Sequence, residues 1–259
     1  MKVRMSAFLS VSMALGLNAH ASAQFLGTAD SFAALAGSAV TNTGPTILSG
    51  NLGVSPGTAI TGFPPGSVTN GTIHANDAVA LQAQSDVTTA YNVLATEAFT
   101  QDLSGQNLGG LTLLPGVYHF SSSAFLTGVL TLNTLGNPNS RFDFQIGSTL
   151  ITSSNSSVRL INSADDCNVF WQVGSSATLG TGTTFTGHIL ALTSITMNTG
   201  SQILDGSALA RNGAITLDSN TITTCITPAT SVPEPGSLVF YSVAGLFTFA
   251  FTSRRRLRK

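Results

Sequence analysis

The residues able to do covalent or acid–base chemistry are few and scattered. Asp165 and Asp166 form the one adjacent acidic pair, and Asp143, Asp205 and Asp218 stand singly on either side. A sugar-cleaving centre needs two or three carboxylates converging in one cleft, often with Arg or a calcium ion. The Asp165-Asp166 pair falls in a corner insertion between strand-like runs, where it reads as a solvated loop. His74, His119 and His188 are widely separated, and none has the HxxxH or HExxH spacing that sets two ligands around zinc. There is no phosphate-binding glycine loop. The expectation is a protein without catalysis, metal or cofactor.

What recurs instead is threonine in a fixed setting. LTL at 130 to 132, ATL at 177 to 179, ITM at 195 to 197 and ITL at 215 to 217 share one pattern. With the flanking Leu, Ile and Met inward, Thr131, Thr178, Thr196 and Thr216 point outward in one file. Ser176 and Ser194 start a second file two residues earlier, about 6.6 Å away. Threonine ladders are often only structural, since cross-strand Thr pairs add about 0.2 to 1 kcal/mol. That role leaves the lack of charge unexplained, because exposed sheets ordinarily interleave Lys and Glu for solubility and against edge pairing. A rigid lattice of methyls and hydroxyls can cage and tether ordered water, and such water can merge with an ice crystal.

The elements that must carry this file come from a repeat. NVFWQVGSSATLGTGTTF, TGHILALTSITMNTGSQI and DGSALARNGAITLDSNTI stack on one another, each with three short alternating segments parted by Gly, Ser or Asn. Phe185, Ile203 and Ile222 share one column and Leu179, Met197 and Leu217 another, which favours an all-β solenoid over a sandwich. The first segment of each turn is apolar on both pleat faces and needs cover. An amphipathic helix from Asn76 to about Phe99, with Asn76 as N-cap and Val79, Ala83, Val87, Ala90, Leu94 and Ala98 inward, supplies it. Trp171 is expected to point inward.

Charged residues are 8% of the 259, and seven of the ten Lys and Arg lie at the two ends, leaving Arg141, Arg159 and Arg211 in the middle. Without a basic patch, nucleic-acid binding is excluded. Lys2 and Arg4, the apolar run Ala7 to Leu17 and Ala21-Ser22-Ala23 read as a secretory signal, residues 1 to 23, cleaved after Ala23. Residues 232 to 259 place Pro233, Glu234 and Pro235 before an apolar run and the arginine cluster RRRLRK. That order resembles the PEP-CTERM sorting signal of Gram-negative bacteria. The resemblance implies transient membrane contact, processing by an exosortase, and delivery to the cell surface or exopolysaccharide matrix.

Residues 25 to 225 resemble the secreted microbial ice-binding domain family DUF3494. The resemblance is carried by FLGTADSFAALAGSAVTNTGPTILSGNLGVSPG, IHANDAVALQAQSDVTTAYN, LLPGVYHF and CNVFWQVGSSATLGTGTTFTGHILA. It implies a discontinuous right-handed β-helix of three faces with an α-helix alongside, binding an ice plane through one flat face as a monomer, with thermal hysteresis and recrystallisation inhibition. On this reading residues 24 to 231 are the ice-binding domain, and Thr131, Ser176, Thr178, Ser194, Thr196 and Thr216 carry the contact. Thr181 resembles the start of the family's T-A/G-x-T/N motif, and Thr181, Thr184 and Thr221 form the alternative face. The rival is a matrix or adhesion protein binding polysaccharide through the same face. Cys167 and Cys225 are free to pair in an exported protein, but the repeat sets them several rungs apart. A disulfide and two separate thiols both remain open.

Overall fold

The computed structural model describes residues 25 to 162 and 167 to 225. The signal cleavage site at Ala23, the Asp165-Asp166 pair and the Pro233, Glu234, Pro235 motif lie outside the described residues.

Short strands separated by turn residues wind into coils, and every recorded strand pairing is parallel. The coils present three faces. The first is built by Gly116–Phe120, Phe142–Ile146, Val169–Val173, the second halves of Thr184–Ala191 and Gln202–Ala210, then Phe32–Ala36, Asn51–Val54 and Ile73–Ala75. The second is a separate seven-stranded sheet: Ala124–Leu126, Leu150–Thr152, Ala177–Leu179, Ile195–Met197, Ile215–Asp218, Ala39–Thr43 and Ala59–Thr61. The third runs from Thr112–Leu113 through Val129–Asn133, Ser157–Ile161, the first halves of the two long strands and Thr221–Thr223 to Ile47–Ser49 and Ser67–Thr69.

The chain order along the stack is broken. The strands nearest the N-terminus follow the last coil of the repeat, so that Phe32–Ala36 pairs with Gln202–Ala210 and Ile47–Ser49 with Thr221–Thr223. Helix α1, Ala78–Thr96, lies against the first face, and the coils beyond it run back toward this junction. The fold is thus a discontinuous β-solenoid with one helix, and the N-terminal strands complete one end of the stack.

Alternation sorts the core. Inside the coils Tyr118, Phe144, Trp171 and Phe185 form an aromatic stack, with the Phe144 and Trp171 rings 3.8 Å apart and nearly parallel. The Trp171 indole donates to the Thr186 carbonyl at 3.1 Å, so its one polar group is satisfied within the core. Side chains facing the other way on the same strands, Phe170, Leu190, Leu209 and Leu35, are buried under Ala83, Val87, Ala90 and Leu94 of α1. The cap differs from the sequence expectation. Asp77 is the N-cap, its carboxylate accepting from the Ala80 amide at 2.9 Å, whereas Asn76 turns the chain with φ 51. Val79 is exposed and Ala98 lies beyond the helix, while Ala80, Gln84 and Tyr91 are on the buried side.

The long strands pass the corner between the third and first faces at a bulge after Thr186. Gly187 has φ +101 there, and a Cβ on it would sit 2.6 Å from the Val169 carbonyl oxygen, so the coils close up only around glycine. Beside this corner a disulfide joins Cys167 to Cys225, with Cα atoms 5.7 Å apart. Rung counting separated the two because it treated both as ladder residues. Each lies just outside its strand, before Val169–Val173 and after Thr221–Thr223, where the chain is free to lean along the stack.

Candidate functional site

The second face presents its central outward position as one file in strict register: Phe125, Ile151, Thr178, Thr196, Thr216, Thr41 and Thr61. Five consecutive threonines span about 19 Å at the parallel-strand spacing. Their neighbours Ala177, Ile195, Ile215 and Val40 are buried, which fixes the threonines outward by the pleat. β-Branched threonine suits each strand centre, and apolar inward partners fix its register.

The five central hydroxyls, on Thr178, Thr196, Thr216, Thr41 and Thr61, have no protein hydrogen-bond partner among the described residues. They are left to water. Ser176 and Ser194 flank the file as expected, but their hydroxyl oxygens also accept backbone amides of the next coil, from Ser194 at 3.3 Å and Ala214 at 3.2 Å. They therefore tie the edge of the face as well as lining it. Along that edge the hydroxyls of Ser123, Thr149, Ser176 and Ser194 give way to the methyls of Ala214, Ala39 and Ala59. Asp218 is the one charged residue in the seven strands. Its carboxylate is held back at the corner by the Thr199 and Ser219 hydroxyls, at 2.5 and 3.1 Å.

Thr131 does not join this file. It lies on the third face, paired with Arg159 and Thr112, and it is buried while the Arg159 guanidinium reaches its hydroxyl at 3.5 Å. The LTL run matches the pattern of the second-face strands, but its coil contributes Ala124–Leu126 to that face. The second-face position of that coil is taken by Phe125. Thr41 and Thr61, which the sequence reading missed, take the far end. Their signal was present: AVT at 39 to 41 and AIT at 59 to 61 repeat the apolar-Thr pattern, outside the stretch with the regular period.

Thr184 and Thr221 do share a file on the third face, with Val129, Ser157, Gln202, Ile47 and Ser67. That file mixes apolar, amide and hydroxyl groups, and Arg159 projects beside it. Thr181 stands apart from both, exposed in the turn between the second and third faces. The threonine repeat and an uncharged central file coincide only on the second face.

The two titratable groups with the largest shifts sit elsewhere. His188 is fully buried beside the disulfide, stacked on Phe170 and bonded to the Ser207 hydroxyl at 2.8 Å; burial lowers its pKa to about 4. Asp143 is buried on the first face near the end of α1. Burial pushes its pKa up to about 7, against the pull of the Arg141 guanidinium at 2.9 Å and with the Glu97 carboxylate adding to the rise. Among the described residues no group of three or more His, Cys, Asp or Glu is placed to hold a metal ion.

A parallel three-faced solenoid with a flanking helix and one hydroxyl-bearing sheet with a single charged residue defines a class of surface-binding β-helix proteins. The family model described as ice-binding-like matches residues 34 to 223, and the chain belongs to that family. An ice-binding protein of Nostoc sp. (strain HG1) is 56% identical over 243 residues, covering 92% of this chain and 90% of the relative. The crystal structure of an ice-binding protein from an Antarctic biological consortium is 46% identical, with TM-score 0.74 over 86% of this chain and 96% of that one. That of the Antarctic ascomycete Antarctomyces psychrotrophicus is 44% identical, with TM-score 0.74 over 78% and 98%.

Proposed function

We propose that the chain binds ice through the second face, with Thr178, Thr196, Thr216, Thr41 and Thr61 as the central contact and Ser176 and Ser194 at its edge. One observation carries this: five consecutive in-register threonines whose hydroxyls have no protein partner among the described residues. Each methyl favours a caged water structure over it, and each free hydroxyl tethers that water at the rung repeat. A charge would draw water into a shell of different geometry; the one charged side chain of the seven strands, Asp218, lies at the edge of the face with its carboxylate accepting from the Thr199 and Ser219 hydroxyls. No reacting group is needed, and the protein is not an enzyme.

The site does not extend to Thr131, and Thr184 and Thr221 belong to a mixed surface. Polysaccharide binding is disfavoured because sugars are gripped by stacked aromatic rings, and the file carries a single one, Phe125, at its end. The relatives' role and the two terminal sorting patterns support an exported protein at the cell surface or in the extracellular matrix, acting as a monomer.

The test is thermal hysteresis with ice-crystal shaping on the purified, folded chain. Faceted crystals with a hysteresis gap are expected. Round crystals growing freely in the presence of folded protein would refute ice binding.

A further inference from the structure

The threonine file crosses a seam. Thr216 and Thr41 are neighbours on it, yet they come from the last coil of the repeat and from the N-terminal segment. Nothing covalent sets the register between those coils. Directly behind the seam, at the corner between the second and third faces, lies a run of buried polar side chains: Ser201, Asn220, Thr46 and Asn42, none more than 7% exposed.

We propose that the Asn220, Thr46 and Asn42 side chains are the positioning device that locks the two ends of the chain in register, so that the threonine rungs form one plane. This rests on the ice-binding reading of the second face. The Asn220 amide nitrogen donates back into the preceding coil, to the Asn198 carbonyl at 2.9 Å and the Ser201 carbonyl at 3.0 Å. Its side-chain oxygen accepts from the Asp218 amide at 2.6 Å, which shapes the turn after the Thr216 strand. Across the seam, the Asn220 backbone amide donates to the Thr46 hydroxyl at 3.0 Å. That hydroxyl donates to the Asn42 side-chain oxygen at 2.5 Å, and the Asn42 amide nitrogen donates onward to the Gly62 carbonyl at 2.8 Å, in the coil that holds Thr61. Four successive coils are linked through three side chains.

Backbone ladders alone do not specify this alignment, because parallel strands pair equally well after a slip. A one-residue slip would turn Thr41 and Thr61 inward, and a two-residue slip would keep them outward but displaced along the rung. The apolar inward partners already oppose the one-residue slip; the two-residue slip keeps them inward but would strand the Asn42 amide and the Thr46 hydroxyl in a buried site without partners, so the side-chain links select against it. A lattice-matched surface tolerates little displacement, so the links act on binding by placing rungs while touching no ice themselves.

The experiment compares Thr46→Val, which keeps the shape and removes the hydroxyl, with Thr46→Ser, which restores it. Val173→Ala, a core truncation on the first face, serves as a stability control. Each is read by hysteresis at temperatures where circular dichroism shows full folding, and by which planes of a single ice crystal the fluorescently labelled protein covers. Thr46→Val should lose about fivefold or more of the hysteresis and change its plane pattern, since displacement of about 1 Å disables a preorganised site. Thr46→Ser should match wild type, and Val173→Ala should keep the wild-type pattern despite a lower melting temperature. Should Thr46→Val fail to fold, Asn42→Ala keeps the bond between Thr46 and Asn220 and removes those of Asn42 to Thr46, Gly44 and Gly62, of which only the last crosses to the Thr61 coil, and it should still change the plane pattern. Wild-type hysteresis and pattern in every folded seam variant would overturn the proposal, as would losses that follow melting temperature equally in Thr46→Val and Val173→Ala. Wild-type protein that leaves ice round would instead refute the ice-binding reading itself.

Discussion

Single side chains in this protein divide into those that meet water and those that hold the scaffold, and the two most strongly shifted titrating groups, Asp143 and His188, are of the second kind. Asp143 keeps a proton in the folded state up to about pH 7, against an unperturbed value of 3.8. The folded chain therefore binds more protons than the unfolded one between those limits, and stability falls as pH rises toward 7. His188 acts in the opposite sense: its folded pKa of about 4 lies below the ordinary 6.5, so stability falls as pH drops through that window. Between about pH 4 and 6.5 the two slopes oppose and nearly cancel, so melting temperature should change little across that range and fall only as pH rises from 6.5 toward 7. Asp143→Asn should remove the fall toward pH 7 and uncover a fall in melting temperature as pH drops from 6.5 to 4; a wild-type profile in that variant would contradict the assignment. The sequence carried Thr178, Thr196, Thr216, Ser176 and Ser194 plainly, because apolar-Thr-apolar triplets at a steady period place both faces of a strand at once. It misplaced Thr131 for the same reason, since a triplet reports which side of its strand faces out but not which face of the coil the strand occupies.

Among the elements, α1 shows how local chemistry and tertiary demand combine. Ala80, Ala83 and Ala90 on its buried side allow close approach to the first face, where Phe170, Leu190 and Leu209 fill the space beneath it. Its start depends on Asp77, whose carboxylate caps the Ala80 amide and also meets the His74 ring at 2.7 Å. Asp77→Ala should cost about 1 kcal/mol, a melting shift of roughly 2 to 4 °C for a domain of this size. Hysteresis should be unchanged at low temperature, because α1 covers the first face and not the second. Loss of ice activity in that variant without unfolding would show that the helix shapes the binding plane. The helix and its covering role were legible from periodicity, whereas the cap was off by one because Asn and Asp are both good N-caps and only φ tells them apart.

On the scale of the whole molecule, the chain closes a stack whose two ends in sequence meet in its middle. Repeats revealed the central coils, but the N-terminal strands have irregular spacing, and nothing in their period says they continue the same faces. Their place is set by tertiary pairing, and with it came Thr41 and Thr61. The disulfide also escapes local reading, since Cys167 and Cys225 meet outside the ladder. Closing a loop of 58 residues restricts the unfolded chain by about 4 kcal/mol in the loop-entropy view. Reduction under conditions that open the bridge should lower the melting temperature by several degrees while leaving hysteresis near 0 °C intact; activity lost without unfolding would mean that the bridge also shapes the face. The most direct measurement of the central claim is hysteresis of Thr196→Tyr beside Thr184→Tyr, both checked for folding. A bulky ring on the second face should abolish most of the activity and the same ring on the third face should leave it near wild type. The reverse pattern, or full activity in Thr196→Tyr, would contradict the assignment of the ice-binding plane.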